Sequence, residues 1–386
     1  MAQKLRVGVL FGGRSTEHQV SLVSAQSVMA ALDRDKYEVI PIGISPAGRW
    51  LCGDDALPLL KEGKEPPHGC FLPPDPTCRR LLDLNRLEPL GDALDVIFPV
   101  LHGSFGEDGT IQGLLELADI PYVGAGVLGS ALAMDKVLQK LVCRQAGLPT
   151  VDFIWFRSID WRERSTDEPV AAYQLANLPQ EGIAAEIERR LGYPVFVKPP
   201  NLGSSVGISK AKNRGQLIEG IETALRYDRK VLVEAAVPDP REIEVAVLGN
   251  EHPRASIAGE IIPSNEFYDY DAKYVDGASE SRIPADLPPE LHESLRQAAV
   301  RAVVACEVEG MARVDFLVER RTGKFFLNEI NSIPGFTSIS MYPKLWEASG
   351  LSYPDLLDEL IRLALDRAAK KRALSTTFQP KKEWYK

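Results

Sequence analysis

MARVDFLVERRTGKFFLNEIN, residues 311–331, reads as two strands of alternating apolar and polar side chains around Arg321-Thr322-Gly323. A three-residue connection ending in glycine suits a hairpin whose last turn residue is left-handed. If the hairpin centres on Thr322, Asp315 stands opposite Glu329 and Arg313 opposite Asn331, and alternation puts the whole set on one face. Carboxylates directly opposite each other repel, so a purely structural hairpin avoids them. Oxygen ligands alone, two carboxylates and an amide, suit a hard cation such as Mg²⁺ that also bridges substrate phosphates. A solvated sheet face accounts for any single acid here more easily than for the set.

Upstream, VFVKPPNLGSSVGISK (residues 195–210) carries Lys198 at the end of an apolar strand and then a loop with Gly203, Ser204, Ser205 and Gly207. Glycines and small hydroxyl residues let backbone N–H groups turn toward an anion, and phosphate is the natural ligand. This is not a P-loop: the Gly323-Lys324 pair is followed by Phe325 and belongs to the hairpin turn.

A chain of 386 residues is too long for one ordinary core and predicts two or three domains. With 45 basic against 54 acidic residues and a net charge of −9, nothing resembles a basic stripe, which argues against nucleic-acid and anionic-membrane partners. Five scattered cysteines without C-x-x-C spacing read as reduced thiols of a cytoplasmic protein. The N-terminal apolar stretch is too short for a signal sequence, and no window approaches a membrane span.

Residues 6–11, 38–44 and 95–101 read as strands alternating with helices, which predicts a parallel, doubly wound first domain. Residues 48–89 have weak periodicity and are expected to form an irregular excursion. Residues 130–146 read as one helix carrying Met134-Asp135-Lys136. Short strands then predict antiparallel pairs, 195–198 with 206–210 and 231–234 with 243–248, hence an α+β region. Residues 265–284, aromatic, acidic and aperiodic, read as a functional loop.

Taken in order, LFGGRSTEHQVS, LHGSFGEDGT, MDK, VKPPNLGSSVGISK, REIEVAVLGN, FYDYDAKY, ARVDF and NEINSIPGFTS resemble the D-alanine–D-alanine ligases, an ATP-grasp family of bacterial cell-wall synthesis. The resemblance covers nearly the whole chain. It implies an N-terminal α/β domain over 1–128 for the first D-alanine, a central subdomain over 129–230 with a phosphate lid, a C-terminal subdomain over 231–370 with the metal hairpin and a mobile loop, and a tail over 371–386. It also implies ATP, two Mg²⁺ or Mn²⁺ ions, small-molecule substrates and a homodimer, and leaves a monovalent-cation requirement open.

By position in these motifs, Lys136, Lys198 and Lys273 match phosphate-contacting lysines, and Ser205 matches a lid residue over the nucleotide. Glu234 and Glu242 match the acids that meet adenine and ribose. Asp315, Glu329 and Asn331 match the metal ligands; Arg313 and the Gly335 N–H match the oxyanion site; Ser340 matches the group receiving the second carboxylate. Glu17 matches the acid that takes the first ammonium, although Thr16-Glu17-His18-Gln19 also reads as a helix capping box. His102 matches a histidine near the first substrate, and Tyr274 matches a tyrosine that joins Ser204 and Glu17 around it.

The implied reaction is activation of one D-alanine carboxylate as an acyl phosphate, followed by attack of a second D-alanine. Rival readings are a D-alanine–D-lactate ligase, another ATP-grasp carboxylate–amine ligase, and a non-catalytic nucleotide-binding regulator. The complete set Arg313, Asp315, Glu329 and Asn331 argues against the last, because a binder has no need of it.

Overall fold

A computed structural model describes residues 3–64, 69–162, 180–262 and 280–378. Among these residues the strands form three sheets.

The first sheet contains β1 (Leu5–Gly12), β2 (Tyr37–Ile44), β3 (Trp50–Cys52), β4 (Cys70–Phe71), β5 (Leu82–Asp83) and β6 (Val96–Pro99), in the order β5-β4-β3-β2-β1-β6. Strands β2, β1 and β6 are parallel, as the alternation of strands and helices predicts. The excursion over 48–89 is more regular than expected: it adds β3, β4 and β5 antiparallel to the edge of the sheet, which is therefore mixed. Both faces are covered. Val7, Val9 and Phe11 pack toward the helix His18–Ala31, and Leu10, Ile42 and Ile97 toward the helix Thr110–Leu117. The first face also packs on Phe336, Tyr342, Trp346 and the helix Tyr353–Arg372, so one core ties the N-terminal sheet to the end of the chain.

The second sheet is β7 (Phe153–Arg157), β8 (Val195–Lys198), β9 (Ser209–Ala211) and β10 (Lys230–Ala235), ordered β7-β10-β8-β9. The third is β11 (Pro240–Gly249), β12 (Arg254–Ile262), β13 (Glu280–Arg282), β14 (Gly310–Glu319) and β15 (Phe325–Asn331), ordered β13-β12-β11-β14-β15. The β8–β9 pair forms as expected, but β10 and β11 do not pair with each other. Val231, Leu232 and Val233 are all fully buried because β10 is a central strand between β7 and β8. The chain then crosses through Val237 and Pro238 into the third sheet, whose strand β11 opens on a proline that donates no ladder hydrogen bond.

The helix expected over 130–146 is two helices, Val127–Met134 and Lys136–Gln145. Asp135 breaks it with an extended ψ of 94° and caps the second, its Oδ1 accepting the N–H groups of Val137 at 3.1 Å and Leu138 at 3.3 Å. Lys136 is thereby placed on the first turn of a new helix, aimed at the third sheet.

Candidate active site

The β14–β15 register is the one the sequence predicts at its functional end: Arg313 opposes Asn331 and Asp315 opposes Glu329. The route to it differs. Near the turn Val318 opposes Phe325 and Phe316 opposes Leu327, one residue off the expected register because four residues, 320–323, connect the strands, and a bulge at Asn328 restores the offset before Glu329. Gly323 has φ +70°, the left-handed value expected of it.

On that face Arg313 grips Asp315 with both arms, Nε to Oδ1 and Nη2 to Oδ2, each at 2.7 Å. Its Nε also lies 3.1 Å from Glu244 Oε2, and Asn331 Nδ2 donates to Asp315 Oδ2 at 3.0 Å. These acids hold the recessed guanidinium's pKa above its usual value although burial alone would lower it. Arg313 is thus ion-paired with Asp315, with Glu244 as a second acid. Glu329 lies across from Asp315 and meets Lys136 Nζ at 3.2 Å. Among the described residues no group of three or more His, Cys, Asp or Glu side chains stands in metal-ligand geometry. The donor set of the hairpin is two carboxylates and an amide, a chemistry that fits a hard divalent cation.

These residues form one wall of a chamber. A second wall is the turn after β8, where Ser204 and Ser205 have left-handed φ of 47° and 59° and Gly207 has φ +75°. Lys136 Nζ donates to Leu202 O at 2.9 Å and so ties this turn to Glu329. A third wall comes from the loops that follow β1 and β6, through Glu17, His102 and Glu107.

Glu17 rather than Thr16 is the N-cap of the helix His18–Ala31, and its side chain makes no cap hydrogen bond, so the capping box with Glu17 in the first turn does not form. Its Oε1 instead accepts the Ser204 hydroxyl. Its Oε2 is buried without a hydrogen-bond partner among the described residues, and Gly103 and Gly203 press close enough that a Cβ on either collides with it. A buried carboxylate oxygen left in this state calls for a donor from a ligand.

At the other end, buried Glu234 on β10 is held by two lysines, Lys140 Nζ at 2.7 Å and Lys198 Nζ at 2.5 Å. Burial alone would raise the Glu234 pKa, but the two ammonium charges more than offset it and bring it down to about 2. Glu242, just across the crossover to β11, lines the same end.

Of the residues predicted from the sequence, those already placed, together with Gly335, face this chamber. Ser340 stands behind it, its Oγ accepting the Thr337 N–H at 3.0 Å and lying against Gly335. Lys273 and Tyr274 lie outside the described residues. The sequence reading missed Lys140, Glu244 and Glu107. Two of them had a signal: Lys140 is one helical turn beyond Lys136, and Glu244 shares the strand face of Glu242.

Family models described as D-ala D-ala ligase N-terminus and D-ala D-ala ligase C-terminus match residues 6–125 and 142–362. A D-alanine–D-alanine ligase of Natranaerobius thermophilus is 50% identical over 378 residues, covering 97% of this chain and 99% of that protein. One from a Thermoanaerobacter species is 51% identical over 367 residues, covering 94% and 97%. Among solved structures, the D-alanine–D-alanine ligase of Coxiella burnetii superposes with a TM-score of 0.78 at 37% identity, covering 96% of this chain and 98% of that one. A D-Ala:D-Ser ligase of Enterococcus faecalis does so with 0.80 at 35% identity, covering 94% and 100%. Matched by family models along most of its length and half identical to relatives across nearly all of it, the chain belongs to the D-alanine–D-alanine ligase family.

Proposed function

We propose that the chamber between the three sheets binds the two D-alanines at its Glu17 end and ATP at its Lys198–Glu234 end, with the reacting atoms between them. The activity is that of the family, ATP-dependent joining of two D-alanine molecules for peptidoglycan precursors. The carboxylate of the first D-alanine attacks the γ-phosphorus, ADP leaves, and the amine of the second displaces phosphate from the acyl phosphate.

The observation that carries the residue assignment is Glu17 Oε2, buried and unpartnered while Oε1 is fixed by Ser204. An α-ammonium group satisfies it. Lys136 and Lys198 are placed to meet phosphate oxygens, and Ser205 lies on the turn that covers them. Glu234 and Glu242 take the adenine and ribose end. Asp315, Glu329 and Asn331 would hold a divalent cation, which when bound neutralises triphosphate charge. Arg313 and the Gly335 N–H face oxyanion charge on the tetrahedral carbon, Ser340 serves the second carboxylate, and His102 borders the first substrate. Lys273 and Tyr274 join the phosphate and Ser204 contacts in the same proposal, as does homodimeric assembly. No side-chain nucleophile is needed, so positioning and exclusion of water carry the catalysis.

The test is D-alanine-dependent phosphate release with Glu17→Gln. The KM for the first D-alanine is expected to rise at least about tenfold, the loss of a charge-assisted hydrogen bond, while the KM for ATP stays near native. A first-site KM unchanged in the variant contradicts the assignment.

A further inference from the structure

Gly335 sits in a loop, residues 332–336, whose peptides on either side are held by groups from the N-terminal region, on the first helix and the segment after β6. The Ile333 N–H donates to Glu107 Oε1 at 3.1 Å, and Glu107 Oε2 accepts the Gly103 N–H at 2.7 Å. The Ile333 carbonyl lies 3.1 Å from His102 Nδ1. The Phe336 N–H donates to Ser24 Oγ at 3.3 Å, and Ser24 Oγ lies 3.1 Å from His102 Nε2.

These contacts fix the proton positions. A carbonyl only accepts, so His102 Nδ1 carries a hydrogen. Burial pulls the His102 pKa below its usual value, which favours the neutral ring, and Nε2 is then an acceptor. Ser24 therefore donates to Nε2 and uses a lone pair for the Phe336 N–H. Ser24 is fully buried and His102 nearly so, which leaves no water to take over either role. The Phe336 ring completes the anchor, edge-on to Phe98 of β6 at a centroid distance of 5.7 Å.

We infer that Ser24 and Glu107 are positioning residues for the acyl-transfer step: with His102 they clamp the peptides on both sides of Gly335 and aim its N–H at the developing oxyanion. Neither touches the reacting atoms. The peptide bonds at Ile333 and Phe336 flank the donor, so a shift of either one rotates it. Oxyanion donors act only within a narrow tolerance of position. The clamp also explains why an oxyanion donor on the C-terminal segment is registered against a substrate acid, Glu17, on the N-terminal one: Ser24 lies on the helix that Glu17 precedes. This inference rests on the reading of Gly335 and Arg313 as the oxyanion donors.

The experiment measures kcat, the KM for ATP and the inhibition constant of a phosphinate dipeptide analogue, whose phosphorus is tetrahedral and carries anionic oxygen, for Ser24→Ala, Glu107→Gln and Arg313→Gln. Losing one oxyanion donor lowers kcat by roughly 100- to 1,000-fold, and a misaimed one is expected to cost about 10- to 100-fold. In Ser24→Ala and Glu107→Gln the phosphinate inhibition constant is expected to rise by the same factor as kcat falls, with the KM for ATP within about twofold of native. A merely structural loss lowers the active fraction and leaves the inhibition constant unchanged. If Arg313→Gln weakens the phosphinate while both other variants bind it as the native enzyme does, the clamp is overturned and the donor reading stands. If none of the three weakens it, the donor reading falls as well.

Discussion

Ser204, on the glycine-rich turn of the central sheet, gives its hydroxyl proton to Glu17 at the start of the first helix, 187 residues earlier in the chain. The contact closes the chamber over the pocket proposed for the first D-alanine and leaves one Glu17 oxygen without a partner among the described residues.

Removing that hydroxyl is expected to matter in proportion to a hydrogen bond made to a charged acceptor, about 1.5–3 kcal/mol. Ser204→Ala should lower kcat/KM for the first D-alanine by roughly 10- to 100-fold. Initial rates with D-alanine varied at saturating ATP measure it. A value within twofold of native contradicts a role for the contact.

Glu329→Gln should abolish phosphate release while the unfolding midpoint stays near native. Glu329 is partly exposed on the hairpin and contributes little to packing, whereas its charge is half of the opposed pair that the proposed divalent cation would balance. Near-normal turnover at moderate Mg²⁺ contradicts the metal assignment.

Lys140 is buried between Glu234 and the Asn328 carbonyl, which accepts from its Nζ at 2.8 Å. Breaking a buried pair from one side costs about 3–5 kcal/mol, so Lys140→Met should lower urea stability by that order and raise the KM for ATP. The Glu234 contribution is present above the ordinary carboxylate value of 4.5 and is lost as pH falls toward about 2, so the difference between native and variant should shrink at acid pH. A difference constant down to pH 2.5, roughly, is the contrary result.

Glu107 is pushed up to about 8, first by loss of solvent and then by the Glu17 charge beside it. A carboxyl that holds its proton more tightly folded than unfolded adds stability below the unfolded value and loses it as pH rises through the folded one. The ligand-free protein should therefore lose stability between pH 4.5 and about 8, by at most about 1.4 kcal/mol per pH unit, and Glu107→Gln should flatten that slope. Equal slopes in urea unfolding of the two proteins rule this out.

What was readable in the sequence follows from what each residue's neighbours are. Asp315 and Glu329 stand equidistant from Thr322, so counting predicts the pair, although the strands reach it only through a bulge at Asn328. The four-residue turn and the compensating bulge at Asn328 leave no trace in the alternation. Lys198 stands out because a lysine ending an apolar strand is unusual. Lys140 has only its place one turn beyond Lys136 to mark it, since a lysine on a helix ordinarily reads as solvated, and the buried acid on β10 shows its role. Glu107 lies in a loop of glycines and acids, and its partner Ile333 is 226 residues away, a distance no local pattern spans. Strands β3, β4 and β5 are two or three residues long, too short for any period to register.

The central claim is that a D-alanine carboxylate oxygen attacks phosphorus before the peptide bond forms. D-Alanine labelled with ¹⁸O in both carboxylate oxygens tests it directly, by mass spectrometry of the phosphate released during dipeptide synthesis. The account predicts one labelled oxygen in each phosphate. Phosphate released without label, at a normal rate of dipeptide formation, would contradict it.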